Sequence, residues 1–362
     1  MLSSGSLGSN ALSKHHPSKN QLKPTHSRPS SQWILQDFAR SILAEFGEDH
    51  RLIHCMKTVL SSGVYINHGE QVASFGGIQT CGNWNCPVCS KKKARASQKE
   101  YLKLVREALK QGKHVYMLTL TFAQETSYKN VSNMIPLEQV LAAFFKQDRA
   151  FRALKKKLGI NGRITSKVPL LTNNNGYHQH THILLFSDNP IEHEENDTLR
   201  KRWVNVCSRR GLVASFEHGL NIQKVKKKTD AEKVSSYVAY QNTKNIHSIL
   251  ERAYHAHESG HEKESKFLKL SYIELLQTTR GKRLHLISSN LRKNLGIKAK
   301  SRRKNPPCDQ TYLTLQQYQN ICSLSLQGKV LQASAMLRRG ELVRYIDRLI
   351  QSCCPYTKRV LQ

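Results

Sequence analysis

Gly176-Tyr-His-Gln-His-Thr-His-Ile-Leu-Leu-Phe186 decides the reading of this chain. Asn173-Asn-Asn-Gly176 ahead of it signals a turn, because Asn and Gly tolerate positive φ. The run that follows is rich in aromatic and apolar residues and predicts a strand. Side chains alternate across a strand, so His178, His180 and His182 share one face. Imidazoles on one strand face offer a divalent ion a stiff platform and leave coordination positions open to substrate oxygens. An ion so held can polarise a phosphate and stabilise charge that develops in displacement. The plainer alternative is a polar solvent face that happens to carry histidines.

Outward from this strand, His114-Val-Tyr-Met-Leu-Thr-Leu-Thr-Phe122 is dense in β-branched and aromatic residues and predicts a second strand. Apolar residues at helical spacing predict helices over 137–158 and from Leu199 to Cys207, with a short strand from Leu220 to Val225 between that helix and the next. A further helix is expected from Asp230 to about Tyr240, capped by Thr229 or Asp230. Tyr237 and Tyr240 lie three apart on it and share a face. A tyrosine hydroxyl can attack phosphorus to give a covalent phosphotyrosine; with an ordinary pKa of about 10, it needs a metal or cations to favour the phenolate. Paired tyrosines on an amphipathic helix also serve simply as packing residues.

Fifty-seven Lys and Arg against 26 Asp and Glu leave a formal charge of +31. Such an excess calls for a polyanion, and nucleic acid is the usual one; an anionic membrane surface is the competing reading. No apolar run is long enough to span a bilayer and no signal peptide is recognisable, so a cytoplasmic protein with no membrane partner is expected. Residues 1–30 read as a disordered basic tail. Residues 31–110 read as a helical segment, with Trp33 to Phe46 as one helix and Leu52 to Leu60 as a candidate second, followed by a cysteine module and a helix that Gly112 ends. Residues 111–300 form the expected catalytic domain. Pro306-Pro307 marks a boundary, and 306–362 reads as a small separate helical unit of two or three helices.

Cys81-x4-Cys86-Pro-Val-Cys89 has the knuckle spacing of structural zinc. Cys55 is the first choice for the fourth ligand, with His54 and His68 behind it; the alternative is three reduced cysteines near a turn. Zinc there would aim Lys91, Lys92, Lys93 and Arg95 at a phosphate backbone. Lys226, Lys227, Lys228, Lys282 and Arg283 are further candidate phosphate contacts, as are Lys224, Arg302 and Arg303.

Taken in order, Cys81-Gly-Asn-Trp-Asn-Cys-Pro-Val-Cys-Ser-Lys-Lys-Lys-Ala94, Leu118-Thr-Leu-Thr-Phe122, Gly176 to Leu185 and Ser236-Tyr-Val-Ala-Tyr-Gln-Asn-Thr-Lys244 resemble the plasmid rolling-circle replication initiators of the HUH endonuclease superfamily. The likeness is to the Rep family with a cysteine motif before the catalytic core, and Gly281 to Gly296 is similar to that family's later segment. The resemblance implies an α+β fold: a central antiparallel sheet carrying the histidines, with the tyrosine helix packed against it. It implies His180 and His182 as ligands of a divalent metal (manganese or magnesium), His178 as the extra preceding histidine, and Tyr237 as nucleophile. It further implies site-specific nicking and joining of single-stranded or hairpin origin DNA through a 5′-phosphotyrosine. The 3′ hydroxyl left behind primes host polymerase, with host helicase as a second partner.

The chain departs from the family pattern in three places. Thr181 stands where a bulkier apolar residue is usual. Ser166-Lys167-Val168 occupies the neighbourhood of an upstream Glu. Lys233, with Glu232 one earlier, holds the position of the Glu used in hydrolytic termination, so Tyr240 is the candidate for a second, closing transfer. Two rival readings are a transposase or relaxase of the same superfamily and a non-catalytic zinc-containing nucleic-acid-binding protein; the latter leaves three histidines on one face without a role.

Overall fold

The computed structural model describes residues 32–61, 63–68, 73–122, 134–172, 176–298, 310–324, 326–334, 336, 337 and 339–353. The basic tail, the Asn173–Asn175 turn, Arg302 and Arg303 and the Pro306-Pro307 boundary lie outside the described residues, as does the side chain of His178. Helix α1 (Gln32–Glu45) buries Trp33, Leu35, Phe38, Ile42 and Leu43 on one side, each contributing roughly 1.5–3 kcal/mol relative to exposure. Residues Leu52 to Leu60 form turns rather than the expected helix; Met56 adopts φ 62, a conformation no α-helix accommodates. Strands β1 (Val64–Asn67) and β2 (Ser74–Gly76) follow, then the 24-residue helix α2 (Pro87–Lys110).

Next come β3 (His114–Thr121), α3 (Met134–Ala142), a π-helical turn at Ala143–Gln147 and α4 (Arg149–Lys157). The single helix expected over 137–158 is therefore broken. Asp148 takes an extended backbone and its carboxylate accepts the Phe151 N–H at 2.8 Å, which starts α4 afresh. Strand β4 (Gly162–Thr172) precedes β5 (Gly176–Ser187), helix α5 (His193–Ser208) and β6 (Leu220–Lys224). Helix α6 (Lys228–Glu258) runs for 31 residues, far beyond Tyr240, and is followed by α7 (Glu262–Thr279), β7 (His285–Ile287) and the short α8 (Leu291–Asn294).

The expected α+β architecture is present: an antiparallel five-stranded sheet of order β6-β3-β5-β4-β7, preceded in sequence by the cysteine cluster. Strand β5 lies at its centre and is covered on both faces. Leu184 and Phe186 join an apolar cluster with Tyr101, Leu104 and Val105 of α2 and Val238 and Ala239 of α6. Ile183 and Leu185 pack on the other side with Leu137, Phe144, Phe151 and Trp203. His180 and His182 continue the parity of Leu184, which puts them on the face that carries α6.

The segment after Pro306-Pro307 is largely helical, as expected, and opens with a strand. Strand β8 (Gln310–Leu313) pairs antiparallel with β1, giving a second sheet of order β2-β1-β8. Helices α9 (Leu315–Ser323), α10 (Gln327–Ala333) and α11 (Arg339–Cys353) share an apolar core with α1 and the cysteine region. Tyr318 Oη donates to the Met56 carbonyl at 2.6 Å. Short amphipathic helices bury too little surface to stand alone, and here the N-terminal module covers them.

Candidate active site and cysteine metal centre

A single row of paired residues crosses the sheet. Thr119 of β3 opposes His182 of β5, His182 opposes Ser166 of β4, and Ser166 opposes His285 of β7. Directly opposed residues point to the same face. The next row holds Thr121, His180 and Val168. The imidazoles of His180 and His182 are nearly parallel, at 8°, with centroids 6.2 Å apart. With metal–nitrogen bonds near 2.1 Å, two rings that share a tetrahedral ion have centroids roughly 5.3 Å apart, so these two must close by about 1 Å to hold one. His182 is buried, and its Nδ1 lies 3.2 Å from Thr119 Oγ1. Burial, with the adjacent His180 as a lesser cause, pushes its pKa down to about 4. The ring is therefore neutral at physiological pH, the state in which a lone pair can bind metal.

Helix α6 brings Tyr237 onto this row. Its ring meets His182 edge to face, with centroids 4.9 Å apart and planes at 74°, and it is 41% exposed. Tyr240, one turn on, is half-buried and packs against the apolar cluster between the sheet and α2. Tyr237 thus has both solvent access and imidazole contact. Lys167, in the neighbourhood of the family's upstream Glu, points to the opposite face and pairs with Glu138. Among the described residues, no third His, Cys, Asp or Glu joins His180 and His182 in a ligand cluster.

The cysteine centre is complete in the protein itself. Cys55, Cys81, Cys86 and Cys89 are all buried, with their sulfurs within 4.8 Å of one another. Three separations are 3.8, 3.5 and 3.7 Å, for Cys55–Cys86, Cys55–Cys89 and Cys81–Cys89. A tetrahedral ion with metal–sulfur bonds of 2.3 Å has sulfur–sulfur edges of roughly 3.8 Å, so the set fits one. Backbone N–H groups of Cys81 and Cys89 donate to Cys55 Sγ and Cys86 Sγ at 3.3 and 3.4 Å. Hydrogen bonds from the three neighbouring cysteines push the Cys89 thiol pKa down, whereas burial pushes the Cys86 thiol up. Neither fallback ligand takes part: His54 is exposed, and His68 bonds to Thr311 Oγ1 and the Ser334 carbonyl.

The profile of the replication-protein family Rep_1 matches residues 74–322, which takes in three of the four cysteines, the whole five-stranded sheet and the strand and helix after it. The chain belongs to this family of plasmid replication proteins. No curated protein and no solved structure matches it.

Within this Rep_1 chain, His285 links the two centres, and sequence reasoning gave it no role. Its ring stacks on Trp84 of the cysteine module at 4.0 Å and 18°. The Asn242 amide of α6 donates to its Nε2 at 3.0 Å and to the Lys167 carbonyl at 3.1 Å. That second bond fixes the amide orientation, so Nε2 must accept and Nδ1–H faces Tyr101 Oη at 2.9 Å. A lone histidine in a short basic segment carries no periodic signal; only its pairing with Ser166, one strand from His182, reveals its place.

The basic candidates divide. Lys91, Lys92 and Arg95 are exposed near the start of α2, as are Lys226, Lys227 and Lys228 at the start of α6. Lys93 is instead occupied within the module: its Nζ donates to the Gly82 carbonyl at 2.8 Å and lies over Trp84 at 5.1 Å. Arg283 is exposed and Lys282 half-buried ahead of β7. Asp230, offered as a helix cap, lies inside α6 and accepts the N–H groups of Lys226 and Lys227 at 3.1 and 2.9 Å. No helix among the described residues is long and apolar enough to cross a membrane.

Proposed function

We propose that this plasmid replication protein starts rolling-circle replication by nicking one strand of origin DNA with Tyr237. The reading is supported above all by the Tyr237 ring set against His182 on a strand face that also presents His180. His180 and His182 are the candidate ligands of a manganese or magnesium ion, with His178 on the same strand. The Thr119 contact at Nδ1 of His182 leaves Nε2 as its coordinating nitrogen. Such an ion, when bound, withdraws charge from the scissile phosphate.

In the chemical step the Tyr237 Oη–phosphorus bond forms as the phosphorus–O3′ bond breaks. The phenolic proton is lost and the departing oxygen gains one, leaving a 3′ hydroxyl primer and a 5′ end joined to Tyr237. The exposed cations of α2, of the α6 start and of Arg283 hold the backbone. Tyr240 is the candidate for the closing transfer. The four cysteines hold structural zinc. Host helicase and polymerase extend the primer in the cytoplasm.

The test uses labelled single-stranded oligonucleotides from the plasmid's own origin, with manganese. A covalent adduct that survives denaturant and disappears in Tyr237→Phe is expected. A shifted band that denaturant abolishes, with no adduct, would indicate a non-catalytic binder.

A further inference from the structure

We propose that the outer face of α4, together with Arg163 beneath it, is a second phosphate-binding surface that holds origin DNA outside the nicked strand. It lies on the sheet face turned away from Tyr237. Arg163 is three positions from Ser166 on β4 and opposes Leu185, which belongs to the apolar cluster under α3, α4 and α5. The inference rests on membership of a plasmid replication family and not on the nicking chemistry.

Three observations carry it. Helix α4 buries Phe151 and Leu154 and turns Arg149, Arg152, Lys155 and Lys156 to solvent. None of these four forms an ion pair among the described residues, whereas the acids around them are taken: Asp148 by Arg202, Glu195 by Lys157 and Asp188 by Lys113. Second, Arg163 lies at a cavity of about 200 Å³ that Lys155 and Ser289 also line. Its guanidinium lies 4.1 Å from the Phe145 ring and has no carboxylate partner among the described residues. Arginine cannot shed its proton, so a half-buried guanidinium without an anion carries a desolvation cost that a phosphate oxygen would offset. Burial also lowers its pKa, in the direction that cost requires. Third, Arg149 to Lys156 spans about 10 Å of helix, roughly three phosphates of one strand. A phosphate backbone matches that row; an isolated anion matches only its end.

The test measures binding of the full chain to origin duplex at several salt concentrations. Each lost phosphate contact lowers the slope of log affinity against log salt by about 0.9. A variant with Arg149, Arg152, Lys155 and Lys156 all changed to Gln is expected to lose about 3 to 4 from that slope. Arg163→Gln is expected to weaken binding and Arg163→Lys to retain most of it. Adduct formation on a short single-stranded oligonucleotide should be unchanged in the fourfold variant. An unchanged slope overturns the proposal, and so does a parallel loss of adduct formation, which would indicate general damage. Inorganic phosphate at constant ionic strength should stabilise wild type and Arg163→Gln equally. A stabilisation lost in Arg163→Gln would assign the cavity to a free anion instead. If wild type forms no adduct at all, the nicking proposal fails while the duplex measurements still decide this one.

Discussion

Acidification should cost this protein stability through His285, by an amount the structure sets. Burial, then the nearby charge of Lys93, pushes its pKa down to about 3 in the folded state. Protonation would also set an N–H at Nε2 against the Asn242 amide, which is already a donor. The unfolded chain titrates near 6.5, so between these values it binds the proton that the folded chain refuses. The folded pKa is the lower one; stability is therefore whole above pH 6.5 and lost as pH falls. At pH 7 the difference is small, and at pH 5 it reaches about 2 kcal/mol. The assay is urea unfolding, followed by tryptophan fluorescence at pH 7 and pH 5, on wild type and His285→Asn. Other titrating groups, the cysteine centre included, cancel in the comparison. Wild type should lose about 2 kcal/mol more than the variant over that interval, at equal urea dependence. Equal losses would refute the burial and bonding assigned to this ring.

Other outcomes follow from the same contacts. Cys55→Ser removes one of four sulfurs, so metal content measured by elemental analysis and the melting temperature should both fall. Asp148→Ala removes the start of α4 and leaves Arg202 without its carboxylate; denaturant titration should show a loss of about 3 kcal/mol. Asn242→Ala withdraws the donor to His285 and to β4 beside Tyr237 and should cost about 1–3 kcal/mol. It should also slow adduct formation while leaving duplex binding intact, as single-turnover and binding measurements would show. Tyr240→Phe should permit nicking and impair strand joining in a gel assay; intact joining would remove Tyr240 from the mechanism.

The strongest patterns were legible because they are local. Alternation identified β5 and the shared face of His180 and His182, and the dense apolar run identified β3. Cysteine spacing identified three sulfurs, and Cys55 was a choice among neighbours that the fold resolves by bringing residue 55 beside residue 81. Strand β4 was not legible: Arg163, Thr165 and Lys167 alternate with Ile164, Ser166 and Val168. A charged face reads as surface until Glu138 and Phe145 are seen to cover it. The pairing of β8 with β1 joins residues about 250 apart in sequence, a distance that no pattern of short-range periodicity reports. The break at Asp148 was hidden because the apolar spacing continues through it, while one side-chain bond to the backbone redirects the chain.

The long helix α6 joins the cysteine module to the strand face that carries His180 and His182. Its first half packs Ala231, Val238 and Ala239 on the sheet and presents Tyr237 to His182. Its second half packs Ile246, Ile249, Leu250 and Ala253 into the core that encloses the four cysteines. A helix is stiff over this length, so the position of Tyr237 depends on how its far end is held. The His285–Trp84 stack and the Asn242 bonds add a second, lateral tie between the same parts. Loss of metal should therefore loosen the support of α6 before it touches the histidines. Chelation followed by hydrogen exchange would show this as early exposure of residues 246–253, with the β5 amides still protected. Simultaneous exposure of both would mean that the sheet and the cysteine core unfold as one unit, and that the metal acts on Tyr237 only through global stability.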